Sequence, residues 1–217
     1  MAESARGGGR ARRAYIVQPP GTPYTRHRDA TLISVLAYSG LRPQEALALR
    51  WGDVRERTVL IERAISAGQI APTKTRKART VRLLEPLAAD LREFRMAAGR
   101  PAAEQLIFPG HDGSHWTQTT WDNWRERTFA RVLASLGLAS AVPYDLRHSF
   151  ASLLLHEGRS VHYVARQLGH SPRLTLETYG HVIDELDHAT RLAAVDAIMQ
   201  AGSGPSPEHP GLTVSSA

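Results

Sequence analysis

The chain has 217 residues, 42% of them hydrophobic, and contains no cysteine. That length allows one well-buried core with tails and is too short for two full domains with long flanks. The missing thiols exclude disulfides and cysteine-ligated zinc or iron–sulfur centres, and they fit a reducing cytoplasm. The formal net charge is +6 and the isoelectric point about 10.1, a balance that attracts polyanions, with nucleic acid or an anionic membrane surface as the usual candidates. No apolar run is long enough to span a bilayer. The N-terminal MAESARGGGRARRAY has basic residues with no apolar stretch behind them, so it does not read as a secretory signal.

In chain order, residues 1–24 read as a flexible N-terminal segment, with Gly7-Gly8-Gly9, scattered arginines and PPGTP. A helix follows in DATLISVLAYSGL, where Leu32, Val35 and Leu36 recur at helical spacing and Gly40 closes the element. Pro43 suits the first turn of the next helix, PQEALALRW. RTVLIERAI and ARTVRLL are rich in β-branched and alternating residues and predict strands of one small antiparallel sheet, with GQIAPTKTRK among the connections. Helical patterns return in LAADLREFRMAA, TTWDNWRERTFARVLASLG, DLRHSFASLLLHEG and SVHYVARQLGH, the last with Ser160 as N-cap. A short helix around LTLETYG and a C-terminal helix, DELDHATRLAAVDAIMQ, complete a core expected over residues 25–200, with a flexible tail over 201–217. The predicted class is mainly α with a small antiparallel β-sheet. Trp116, Trp121 and Trp124 are assigned to core packing rather than base stacking.

Lysine occurs only at Lys74 and Lys77, both in PTKTRKART, while arginine carries the rest of the positive charge. A GC-rich genome explains arginine in place of lysine but not the survival of lysine in one segment. An ammonium can give up its proton where a guanidinium cannot, so a site needing a cationic proton donor would keep lysine. His111 and His115 flank Asp112 in PGHDGSHW, but no third group stands at metal-ligand spacing, and no metal site is expected.

Five residues, ordinary alone, stand in an informative order: Arg42 in SGLRPQEALALRW, Lys74 between predicted strands, Arg147 in YDLRHSFASLLL, His170 in QLGHSP and Tyr179 in LETYGHV. Together they closely resemble the catalytic domain of the tyrosine recombinase, or phage integrase, family, over roughly residues 28–184. DLRHSFASLLLHEG followed by VARQLGHSPRLTLETYGHV matches the family's segment from LRH to the tyrosine almost position by position. The resemblance implies the family's catalytic-domain fold and a site-specific recombinase that cuts and rejoins double-stranded DNA.

It further implies that Arg42 and Arg147 clamp the scissile phosphate, that His170 bonds a nonbridging oxygen, and that Lys74 protonates the leaving 5′-oxygen, with Lys77 as runner-up. Tyr179 is implied as the nucleophile. Its phenol has an unperturbed pKa near ~10, and nearby cations are expected to lower it. Charge builds on phosphate oxygens in the transition state, and forked guanidiniums suit them. The phosphotyrosyl bond conserves energy, so no cofactor is expected. Glu45, three residues after Arg42, is implied to hold that arginine, and His148 to support the site. Tyr144 stands where the family has histidine, and is expected to keep a hydrogen bond while being a poorer base.

The family also carries an N-terminal core-binding domain. With the first arginine box at residue 42, this chain is expected to lack it. A cut at the domain boundary, a short gene and a decayed integrase stay open as explanations. Homo-oligomers assembled on DNA and accessory recombination factors are the implied partners, and the C-terminal helix is expected to dock on a neighbour or on its own domain. Two rival readings are a DNA-binding integrase remnant without catalysis and a helix-turn-helix transcription factor, which leaves the Arg, Lys, Arg, His, Tyr series unexplained.

Overall fold

Helix α1 runs Pro23–Ser39 and buries Leu32, Val35 and Leu36 along one face, against the helices Glu85–Ala97 and Pro143–His156. The computed structural model describes residues 23–66, 68–73, 77–138 and 140–186. Gly40, with φ +62°, ends α1, and a Cβ there would overlap the Phe150 ring. Helix α2 is only Pro43–Ala46, against the expected helix through Trp51. The chain leaves the helix because its backbone groups pair elsewhere. Leu49 accepts from Ile107 at 2.9 Å, Trp51 donates to Gln105 at 3.1 Å, and Gly52 donates to Ala103 at 2.8 Å. A single 3₁₀ turn, Trp51–Asp53, completes this link.

Four strands follow: β1 (Thr58–Ile61), β2 (Arg63–Ser66), β3 (Gln69–Pro72) and β4 (Arg79–Arg82). Among the described residues they pair as two two-stranded antiparallel sheets, β1 with β4 and β2 with β3. The expectation of one sheet with GQIAP as a connection is corrected here. Ile70 pairs with Ile65 and Gln69 with Ser66 across a hairpin whose turn uses Gly68 at φ +75°. On β4, Arg79 and Val81 face inward opposite Ile61 and Val59, the period-2 placement of a half-buried strand.

Helix α3 is Glu85–Ala97. Helices α4 (Gln118–Trp124) and α5 (Ala130–Ser135) are joined by a π-helical turn, Arg125–Phe129. They carry a cluster in which Trp116, Trp121, Trp124 and Phe129 are all buried, with Trp116 Nε1 donating to Pro109 O at 3.2 Å. This cluster joins α1, α3 and the sheet of β1 and β4 in the larger of two hydrophobic cores.

The second core lies between α6 (Pro143–His156), α7 (Val161–Leu168) and α8 (Pro172–Leu186) and contains Phe150, Leu154, Val164, Leu168, Tyr179 and Val182. Ser160 caps α7 by accepting from Tyr163 N, and Gly169 in the left-handed region ends it. Helix α8 corrects the reading of a short helix followed by a new one at Asp184. It continues through Gly180 to Leu186, because Val182 adds a second buried turn to that core. The rest of the expected C-terminal helix, from residue 187, and the tails at 1–22 and 201–217 lie outside the described residues, as does Lys74.

Candidate active site

Gly40 and Pro43 fix the position of Arg42. The first turns the chain out of α1, and the second starts α2 one residue later. Glu45 reaches back to Arg42 twice: the Arg42 amide donates to Oε2 at 2.9 Å and its guanidinium to Oε1 at 3.2 Å. The Arg42 side chain stays 37% exposed, so it keeps a face free for a ligand.

Glu45 itself is 3% exposed and is forked by Arg79, at 2.9 Å to Oε1 and 2.7 Å to Oε2. Burial pushes the Glu45 carboxyl up, but the hydrogen bonds and charge of Arg79, then of Arg42, outweigh it and hold it below the usual range. Arg79 also donates from Nε to Gln167 O at 3.1 Å, tying β4 to the end of α7. Gly169 makes room for it, since a Cβ there would stand 3.0 Å from the Arg79 Cζ. The sequence reading missed Arg79. The signal was its inward position in the alternation of β4, where an arginine must find an acid. Glu45→Ala removes that acid and should destabilise the fold by about 3–5 kcal/mol, as breaking a buried ion pair does. Urea unfolding would measure this, with Glu45→Gln losing less.

Arg147 on α6 is 1% exposed. Its guanidinium donates to Gly40 O, just past α1, and to Leu168 O, the last residue of α7, the latter at 2.6 Å. One arginine therefore satisfies carbonyls at two helix C-termini, the negative ends of their dipoles. Burial, then the charge of Arg42, brings its pKa down to about 10, which still leaves it a cation near neutrality.

The same guanidinium meets His170 Nε2 at 2.9 Å. A guanidinium has donors only, so Nε2 is the acceptor and Nδ1 carries the proton. Burial, then the charges of Arg147, Arg42 and Arg79, presses the His170 pKa to about 4. The unfolded histidine titrates near ~6.5, so between those values the unfolded chain binds more protons. Stability from this group is complete above pH ~6.5 and falls as pH drops towards 4. Unfolding midpoints across that window should decline for the wild type relative to His170→Asn, and parallel curves would refute it.

Arg42, Lys77, Arg79, His170 and Ser171 line one open cleft of about 1640 Å³ between the β2–β3 hairpin and the end of α7. Arg42, Glu45 and His170 share that cleft with Lys77, and Arg147 joins them from behind through its contact with His170. Tyr179 is placed differently from the expectation. It is 2% exposed in the second core, and its hydroxyl meets His148 Nδ1 at 3.0 Å rather than either arginine. Burial raises its pKa, the charge of Arg147 offsets this only in part, and Tyr144 pushes it further up. The expected net lowering by cations is therefore reversed in this state. Tyr144 is 40% exposed and packs its ring edge-on against His148, with centroids 5.1 Å apart.

Residues 18–185 match the family model for the phage integrase family. The chain is 32% identical over 163 residues to tyrosine recombinase XerD of Proteus mirabilis, covering 73% of this chain and 49% of that protein. It is 32% identical over 156 residues to tyrosine recombinase XerC of Xanthomonas axonopodis pv. citri, covering 71% and 47%. Among solved structures, XerA recombinase superposes with a TM-score of 0.59 at 21% identity, over 84% of this chain and 62% of that one. XerH recombinase bound to its difH substrate before cleavage gives 0.57 at 23%, over 85% and 49%. These superpositions establish a shared fold. The chain spans about half the length of the curated relatives it matches.

Proposed function

The chain belongs to the phage integrase family, and from that premise we propose that residues 25–200 form the catalytic domain of a site-specific DNA recombinase that cleaves and rejoins strands through a 3′-phosphotyrosyl bond. Arg42 and Arg147 bind the nonbridging oxygens of the scissile phosphate, and His170 donates to one of them. Tyr179 Oη attacks phosphorus, and the 5′-oxygen leaves with a proton from Lys74 or Lys77. Attack by a 5′-hydroxyl of another strand reverses the step, so neither ATP nor a metal is consumed. A short displacement of α8, or a turn of the tyrosine side chain, would bring Oη to phosphorus. Assembly of several copies on duplex DNA, with or without accessory factors, and action in the cytoplasm complete the reading.

The observation that carries it is the corner where two fixed arginines and a neutral histidine meet. Arg147 Nε and His170 Nδ1 are buried donors without a partner there, beside the half-exposed Arg42. Buried donors call for acceptors, and an anionic oxygen suits donors set among guanidiniums. One observation favours the rival reading of a DNA-binding protein without catalysis: the Tyr179 hydroxyl is engaged by His148. A pool of nicked duplexes of randomised sequence, at low salt where phosphate contacts are strongest, separates the two. A recombinase yields a denaturation-resistant protein–DNA adduct whose recovered DNA reveals the target. A protein that retains duplex DNA without any adduct has the binding role alone.

A further inference from the structure

We propose that His148 is the group that receives the phenolic proton of Tyr179, making it a catalytic residue rather than a support; this rests on the reading above. His148 Nδ1 stands 3.0 Å from Tyr179 Oη, within hydrogen-bond reach of the proton to be removed, and the rings lie 5.6 Å apart. Among the described residues, His148 is the side chain that hydrogen-bonds that hydroxyl. Tyr144 lies one helical turn earlier on the same face of α6 and packs against the His148 ring. A phenol is a poor proton acceptor near neutrality, so Tyr144 orients the imidazole rather than replacing it.

Position on α6 explains how one helix can serve both halves of the reaction. Consecutive residues of a helix point about 100° apart. Arg147 turns into the corner with His170, while His148 turns towards α8 and Tyr179. The charge of Arg147, the arginine proposed to bind the phosphate, already acts on the phenol bonded to His148. Tyr179 needs a base, because burial disfavours its anion. His148 is half-buried, so the imidazolium that forms keeps contact with solvent.

The step balances. The phenol O–H bond breaks and its proton passes to Nδ1 of the tautomer protonated at Nε2. The Oη–P bond forms as the bond from phosphorus to the 5′-oxygen breaks, and that oxygen takes a proton from the lysine ammonium. In rejoining, the imidazolium returns its proton to the departing phenolate, and the lysine takes one from the attacking hydroxyl.

The test uses duplexes recovered from the randomised pool and three proteins: wild type, His148→Gln and His148→Ala. Glutamine can still hydrogen-bond Tyr179 but cannot accept its proton. His148→Gln should bind the duplex like wild type and form adduct roughly 100-fold more slowly, the lower range for a general base. Added imidazole should restore part of the rate to His148→Ala. A 5′-bridging phosphorothioate, whose sulfur leaves without a proton, should not relieve the His148→Gln defect. Wild-type adduct rates in His148→Gln, or relief of its defect by the sulfur leaving group, would overturn the proposal while leaving the recombinase reading intact. No adduct from the wild type would sink both.

Discussion

Tyr179→Phe should fold, bind duplex DNA with the wild-type salt dependence, and yield no denaturation-resistant adduct with any duplex in the randomised pool. The substitution removes a single oxygen. The Tyr179 ring keeps its place beside Phe150, Leu154 and Val182, so the packing of α8 against α6 survives. What is lost in the resting fold is the hydrogen bond to His148, worth on the order of 1 kcal/mol. The proposed phosphate clamp of Arg42, Arg147 and His170 is held by α1, α2, α6 and α7 and owes nothing to that oxygen, so DNA binding should be preserved. Denaturing gels report the adduct, filter binding the affinity, and urea unfolding the fold. An adduct that persists in Tyr179→Phe would move the nucleophile elsewhere, and Tyr144, exposed and packed on His148, would be the first residue to replace next.

What the sequence disclosed and what it hid differ in physical kind. Local signals carried far: Pro43 starts a helix, Ser160 caps one and Gly40 ends another, because each acts through its own backbone conformation or its nearest neighbours. Pairings over long separations did not show. Strand β3 pairs with β2 along a register that no local pattern announces, with Pro72 at its end opposite Arg63. Helix α2 stops early because residues 49–52 bond to the stretch 103–107, which no local pattern reveals.

Within the site, motif order brought Arg42, Arg147 and His170 to one corner. Their ion-pair support was less visible: Arg79 joins Glu45 across 34 positions. The environment of Tyr179 was hidden as well. Cations nearby suggested a lowered pKa, but in the fold burial acts on the phenol more strongly than the charge of Arg147. The short helix expected around LTLETYG does not stop there: Gly180 lacks the positive φ of a helix-terminating glycine, and α8 runs through it.

Arg147→Lys should slow adduct formation on saturating DNA by about 10²–10³-fold, the loss typical of removing one preorganised donor from a developing oxyanion. The native guanidinium spends its fork on Gly40 O and Leu168 O and a further N–H on His170, leaving Nε unpartnered in the same corner. Three partners are served from one rigid plane, with a fourth donor left free. An ammonium has three donors on a single nitrogen and cannot span two helix ends while also facing a phosphate. It would sit in a buried site beside Arg42, and burial with a like charge nearby drives a lysine towards its neutral form. The variant thus loses both geometry and charge where the transition state gains negative charge.

A folding cost accompanies this change, because a helix-end carbonyl left without its donor costs about 1–3 kcal/mol. The comparison is therefore made on protein shown to be folded, and as the rate of the bound complex rather than as yield. Affinity should fall far less than rate, since one phosphate contact among many is lost. A rate within about threefold of wild type would assign Arg147 to plugging the ends of α1 and α7 and remove it from the chemistry. Loss of affinity equal to the loss of rate would mean that the residue binds the ground state and the transition state alike.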